Sequence, residues 1–205
     1  IKHLIKRNRY TNYLEIGYFK GWSFDRVNCI HKAAVDLYPC KTIEQEKWEH
    51  GMHLYEGNTI FKMTSDEFFK NLSPSSKFDI IFIDGLHEEH QVYRDITNSL
   101  EHLEEDGIIV MHDCSPLTYE MVTTGSPLGE WCGTTYKAFI DFRRTTDYFT
   151  CVVDTDYGVG IIDPGRAATD RTSMEEYLGN WEYFSRNRRA ILNLKSEEEF
   201  LSLYN

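Results

Sequence analysis

Four side chains sit just past two apolar runs. Asp84 and His87 follow the run 78–83, and His112 and Asp113 follow the run 108–111. Carboxylates and imidazoles move protons near neutral pH, and an imidazole of ordinary pKa near about 6.5 suits the task best. A hydroxyl that attacks carbon needs such a base to take its proton. Neighbouring residues of an extended strand point to opposite faces, so the spacing predicts that only one of His112 and Asp113 faces a site. The run His87-Glu88-Glu89-His90 has the form H-x-x-H, not H-E-x-x-H, and shows no third ligand. It reads as an exposed helical face rather than a zinc site.

A second set lies earlier in the chain. Gly17 and Gly21 are spaced G-x-x-x-G, not the G-x-G-x-x-G that brings a pyrophosphate to a helix N-terminus. Glycines there let a ligand approach the backbone, or simply allow a tight turn. Asp36 stands nineteen positions after Gly17. A carboxylate at that place can accept both hydroxyls of a ribose, or cap a turn.

These residues need elements to position them. The chain alternates short β-rich runs with amphipathic helical stretches, which predicts an α/β fold on a parallel sheet. Strands are expected at 13–16, 33–36, 59–63, 78–84 and 108–111. The run 78–84 is continuously apolar inside, as in a strand covered on both faces. Ser23 is placed to N-cap a helix carrying Phe24, Val27 and Ile30. A helix opens at Ser65 or Asp66, and another carries Val92, Ile96, Leu100 and Leu103 on one face before Gly107 ends it. Strands at 148–153 and 159–162 flank residues 154–158 and predict an antiparallel hairpin, where turn chemistry is the expected role of Asp154, Asp156 and Tyr157. From Thr172 the pattern is helical and charged. In a parallel sheet, ligands bind past the carboxyl ends of the strands, where Glu15, Gly17, Asp36, Thr64 to Asp66, Asp84 to His87 and His112 to Cys114 fall.

Composition narrows the function. The 205 residues carry 22 Lys plus Arg against 33 Asp plus Glu, a formal charge of −11. Such a surface repels phosphate backbones and anionic lipid, so neither nucleic acid nor membrane is the expected partner. The five cysteines, Cys29, Cys40, Cys114, Cys132 and Cys151, are odd in number and form no C-x-x-C. They read as free thiols of a reducing compartment, hence the cytoplasm.

Taken in order, Glu15-Ile16-Gly17-x-x-x-Gly21-x-Ser23, Val35-Asp36, the run Phe78-Asp79-Ile80-Ile81-Phe82-Ile83-Asp84-Gly85-Leu86-His87, and Gly107-Ile108-Ile109-Val110-Met111-His112-Asp113 resemble class I S-adenosylmethionine-dependent methyltransferases. The nearest group is the small O-methyltransferase-like enzymes with D-G-x-H after the fourth strand. The resemblance covers roughly residues 10 to 163. It implies a doubly wound, mostly parallel seven-stranded Rossmann-like sheet with an antiparallel last strand. The cofactor domain is expected over 1–165, with 166–205 a C-terminal helical appendage of the same domain. The resemblance implies cofactor contacts at Glu15, Gly17, Gly21 and Ser23, ribose contacts at Asp36, and adenine-side contacts at Thr64, Ser65 and Asp66. Asp84 and His87 border the same pocket. Asp84 and Asp113 look like two carboxylates that hold magnesium in related enzymes. Here His112 and Cys114 flank Asp113 where those relatives offer oxygen, and magnesium wants oxygen. No metal site is therefore assigned, and a divalent metal stays the less favoured alternative.

The implied activity is methyl transfer to a hydroxyl by in-line displacement, with Asp84, His87, His112 and Asp113 the candidates for the base. The long connection from Cys114 to Gly133 is expected to wall the acceptor, with Tyr119 and Trp131 as stacking surfaces. Aromatic faces among Asp and His suit a sugar or glycan, and relatives of this kind often occur beside polysaccharide-building enzymes, which is association at family level. A catechol, phenol or other small molecule is the rival acceptor. A non-catalytic cofactor-binding module of a longer multidomain protein is the rival class. A dinucleotide enzyme would need a pyrophosphate site that the glycine loop does not offer.

Overall fold

A computed structural model describes residues 1–39, 57–123, 125, 129–168 and 179–205. Cys40 and Pro127, and the start of the expected C-terminal helical stretch at Thr172, lie outside them. The fold is α/β, with strand order β3-β2-β1-β4-β5-β7-β6-β8. The strands are β1 (Asn12–Ile16), β2 (His31–Asp36), β3 (Gly57–Lys62), β4 (Phe78–Ile83), β5 (Leu103–Met111), β6 (Tyr148–Val153), β7 (Val159–Ala167) and β8 (Leu194–Lys195). The helices are α1 (Lys2–Asn8), α2 (Ser65–Asn71), α3 (Glu89–Glu101), α4 (Thr135–Thr145), α5 (Trp181–Ile191) and α6 (Glu197–Leu203). Seven strands follow the expected order. The eighth, β8, is two residues long and too short to register as a sequence pattern.

The chain forms two compact units: residues 1–86 with 94–109, and residues 87–93 with 110–205. In the first, β1 pairs in parallel with β2 and β4, and β2 with β3. Leu14, Ile80, Ile81 and Ala34 are fully buried, which accounts for the unbroken apolar runs of these strands. Asp79 interrupts one run for a structural reason. Its Oδ2 accepts the backbone N–H groups of Thr11 and Asn12 at 2.6 and 2.8 Å and pins the start of β1.

Two expectations fail here. The helix expected from Ser23 is a single 3-10 turn, Phe24–Arg26. Ser23 makes no capping bond, Val27 is already extended, and Ile30 is 66% exposed. Lys32, the second residue of β2, supports the short turn in place of a helix. Its buried ammonium donates to the carbonyls of Phe24 at 2.6 Å and Val27 at 3.0 Å, and lies 4.4 Å from the centre of the Phe24 ring. The Phe24 carbonyl thus accepts both the Lys32 ammonium and, at 3.3 Å, the Val27 N–H that closes the 3-10 turn, and the chain leaves the helical path at Val27. Second, Leu103 and Gly107 belong to β5, not to the end of α3. A Cβ on Gly107 would stand 2.6 Å from Leu103 Cγ and 3.0 Å from the Asp79 carbonyl oxygen, so the glycine is required by packing within the strand.

In the second unit β6 and β7 form the expected antiparallel hairpin, and β8 adds in parallel to β6. Buried Arg143 of α4 donates to the carbonyl of Ile191 and the hydroxyl of Thr150, both at 3.1 Å. The Tyr204 hydroxyl, just past α6, donates to Asp163 of β7 at 2.7 Å. The C-terminal helices are therefore fastened to the hairpin by specific polar bonds. No described helix is long and apolar enough to cross a membrane.

Lys32→Met keeps the volume of the side chain but removes the ammonium from two carbonyls, leaving Phe24 only the Val27 N–H. Urea denaturation should show a loss of about 2 kcal/mol or more, since a buried group left without its partner costs roughly 1–3 kcal/mol. An unchanged midpoint would mean that water replaces the ammonium.

Candidate active site

The first unit holds the residues expected to meet a cofactor. Glu15 is 1% exposed in β1. Burial pushes its carboxyl up to about 8, although the Tyr13 hydroxyl donates to it and lowers it in part. Gly17 follows with φ +94°, its N–H bonded to the Val35 carbonyl at 2.8 Å. A Cβ there would fall 1.9 Å from the Asp84 carbonyl oxygen, and Asp84 in turn donates its N–H to Ile16 at 2.8 Å. Gly21, φ +74°, would press a Cβ into the Tyr18 ring. Both glycines are thus demanded by their own turn, whatever else approaches them.

Asp36 ends β2 and organises the loop. Its Oδ2 accepts the Phe19 N–H at 2.6 Å and its Oδ1 the Tyr38 N–H at 2.7 Å. Each carboxylate oxygen keeps a second lone pair, so the same group can still accept a diol. The three adenine-side candidates have partners of their own. Thr64 caps α2 in a reciprocal capping box with Glu67, Ser65 donates to buried Asp95 at 2.6 Å, and Asp66 pairs with Arg94 at 3.3 Å. Carboxylates stand at two turn ends, Asp36 and Asp84, and Glu15 lies beside them as a buried acid. This donor set suits a cationic, diol-bearing ligand such as the sulfonium nucleoside S-adenosylmethionine, and does not suit a pyrophosphate.

The second unit assembles the proton-handling groups. The expectation that only one of His112 and Asp113 faces the site assumed an extended strand, and β5 stops at Met111. Asp113 is left-handed, φ +57°, and 5% exposed. That turn brings both residues together: His112 Nδ1 stands 3.4 Å from Asp113 Oδ1, and His87 Nδ1 stands 3.3 Å from Asp113 Oδ2. Buried Cys132 also bonds the same carboxylate, and burial pushes its thiol well up, with Asp113 adding to the shift. His112 Nε2 faces Asp156 Oδ2 at 3.3 Å. The result is an alternating set, His87–Asp113–His112–Asp156. Sequence patterning assigned Asp156 to turn chemistry and missed Cys132. The signal for both is tertiary.

His87 is positioned from two further sides. Its Nδ1 is 3.0 Å from the Trp131 carbonyl oxygen, and the two rings stack at 5.5 Å with 29° between planes. The His87 carbonyl accepts the Thr134 N–H at 2.9 Å, and Gly133 must lack a Cβ because one would stand 2.1 Å from that carbonyl oxygen. With Nδ1 facing two oxygens, the neutral ring keeps its proton there, and the lone pair falls on Nε2. Trp131 is 43% exposed beside the histidine. Tyr119 stands apart from it. Tyr119 tilts against Trp181, 5.8 Å away, and is 55% exposed. His90 pairs with Glu88 on the surface at 3.5 Å, as a solvated helical face would.

Residues 14–114 match a family model described as a methyltransferase domain. No curated protein matches the chain in sequence. Among solved structures, the methyltransferase PaMTH1 from Podospora anserina, bound to S-adenosylhomocysteine, has a TM-score of 0.54 at 15% identity, over 79% of this chain and 75% of that one. The O-methyltransferase TomG from Streptomyces achromogenes, involved in tomaymycin synthesis and solved with S-adenosylmethionine, gives 0.51 at 14% identity, over 79% and 77%. At these identities the likeness is one of fold.

Glu15 supplies a pH test. Its carboxyl titrates higher folded, at about 8, than the ordinary 4.5. Its contribution to stability is therefore complete below about pH 4.5 and is lost as pH rises through 8. Thermal melts should show Glu15→Gln equal to the parent near pH 5 and higher-melting at pH 8.5. Parallel curves across that range would exclude the buried neutral acid.

Proposed function

We propose that this chain, a class I S-adenosylmethionine-dependent methyltransferase, methylates a hydroxyl of a sugar or glycan, with His87 as general base. The observation that carries the reading is the seating of His87 Nδ1 between the Trp131 carbonyl and Asp113, which leaves Nε2 as the basic nitrogen.

Bound S-adenosylmethionine supplies a methyl carbon already activated by its sulfonium. Asp36 would hold the ribose diol, and Glu15, Gly17, Gly21 and Ser23 would line the methionine and nucleoside path, with Thr64, Ser65 and Asp66 towards the adenine. The remaining work belongs to the chain's own groups. His87 Nε2 takes the acceptor's hydroxyl proton as the oxygen attacks. Asp113 steadies the imidazolium that forms, and a buried carboxylate does this far better than one in water. His112 sits on the other oxygen of Asp113 and fixes its direction. Asp84, the remaining candidate for the base, follows β4 in the first unit. Trp131 offers an exposed indole beside the base, a surface on which the apolar face of a sugar ring stacks. A histidine–aspartate pair can take the proton of a sugar hydroxyl as it attacks, whereas catechol chemistry in related folds leans on magnesium. Among the described residues, Cys29, Cys114, Cys132 and Cys151 form no disulfide, which is consistent with a reducing, cytoplasmic setting.

Calorimetry with S-adenosylhomocysteine tests the first half. Asp36→Ala should weaken binding by about 10- to 100-fold, the value of charge-assisted bonds of roughly 1.5–3 kcal/mol. Equal binding by both proteins would remove Asp36 from the site. Transfer of labelled methyl to a panel of monosaccharides, oligosaccharides and catechols tests the second half. A sugar should accept label with or without EDTA, and His87→Gln should slow it by about 100-fold or more. Label passing only to catechols, and only with added magnesium, would overturn the glycan reading.

A further inference from the structure

The tip of the β6–β7 hairpin is built at a cost that turn formation does not require. The Gly158 N–H bonds the Thr155 carbonyl at 2.8 Å, so Asp156 and Tyr157 are the two central residues of a four-residue turn. Both are left-handed, with φ of +46° and +56°. Turns of this mirror-image class favour Asn-Gly or Asp-Gly, so Asp156 suits the first position, whereas a bulky tyrosine at the second, where glycine is usual, is strained. Residues kept in such conformations gather where function pays for them, and the inference runs from the outlier to the role.

Each of the two side chains reaches a different arm of the proton-handling set. Asp156 Oδ2 stands 3.3 Å from His112 Nε2. The Tyr157 hydroxyl donates to Glu130 Oε1 at 3.1 Å. Glu130 precedes Trp131, whose carbonyl and ring hold His87. The backbone of the tip is itself locked to the segment that follows Asp113. Cys114 donates its N–H to the Gly158 carbonyl at 2.9 Å and Ser115 to the Tyr157 carbonyl at 2.7 Å, while a Cβ on Gly158 would stand 2.5 Å from the Ser115 nitrogen.

We propose that Asp156 and Tyr157 are positioning residues for the two histidines: Asp156 holds His112 against Asp113 directly, and Tyr157 holds His87 through the Glu130–Trp131 segment. This rests on the histidine-base reading. Neither residue touches the reacting atoms. Their task is to hold the two rings on either side of one carboxylate, so that His87 presents a single tautomer.

The test reads the tautomer and not turnover, so its failure is distinct from a failure of the base reading. The double variant Asp156→Asn with Tyr157→Gly restores the relaxed turn sequence and should melt at or above the parent temperature. Long-range ¹⁵N–¹H spectra of the parent at pH 7.5, with S-adenosylhomocysteine present, should show His87 protonated at Nδ1 alone. The double variant should lose that single-tautomer pattern and move the His112 ring signals. Tyr157→Phe should disturb His87 alone, and Asp156→Asn chiefly His112. If the double variant fails to fold, these two single variants decide, since they leave the backbone of the turn as it is. Histidine spectra of the variants that superimpose on those of the parent would overturn the proposal.

Discussion

A carboxylate buried at the end of a strand must be answered where it stands. Asp113 is withdrawn from water, and a charge in that position is costly unless donors surround it. The second unit can be read as the response. A left-handed turn at Asp113 swings the group inward, His87 and His112 approach one oxygen each, and Cys132 adds its thiol. The loop 129–134 then has its path dictated, since Trp131 must give its carbonyl to His87 and Gly133 must pass without a side chain. Removing Asp113 would leave two imidazoles with no common centre.

The first unit obeys a different constraint. Its turn between β1 and β2 is held by backbone pairing at Gly17, by the Asp36 carboxylate and by the Lys32 ammonium. These bonds are made before any ligand arrives, so the loop is organised in advance, which lowers the cost of binding. The two sets of candidate groups are thus divided along the chain: those proposed for the nucleoside lie mainly before residue 87, and those proposed for the proton from residue 87 on.

Much of this was legible in the sequence, and the exceptions share one cause. Continuous apolar runs marked β4 and the end of β5, and the hairpin followed from two alternating stretches around a polar five. The carboxylates and histidines at strand ends were visible because strand ends are where α/β sites lie. Failures came wherever a long-range partner overrode a local preference. Phe24, Val27 and Ile30 have helical spacing, yet a lysine from the next strand claims the carbonyls. Alternation excluded one of His112 and Asp113, yet the strand had already ended. Asp156 suits a turn of this class by residue type, whereas the positive φ at Tyr157 has no signature in a tyrosine and could not be read from the chain.

The single 3-10 turn after β1 has a bearing on cofactor choice. A full helix at that place would aim its N-terminal dipole and free N–H groups into the loop, the arrangement that attracts phosphate. Three residues of 3-10 turn generate almost no such field, and the carboxylates nearby oppose it. The loop therefore combines a weak dipole with nearby carboxylates, a setting that repels a phosphate more than a sulfonium. Converting this scaffold to nicotinamide chemistry would have to begin with this turn and with the Lys32 ammonium bonded to its carbonyls.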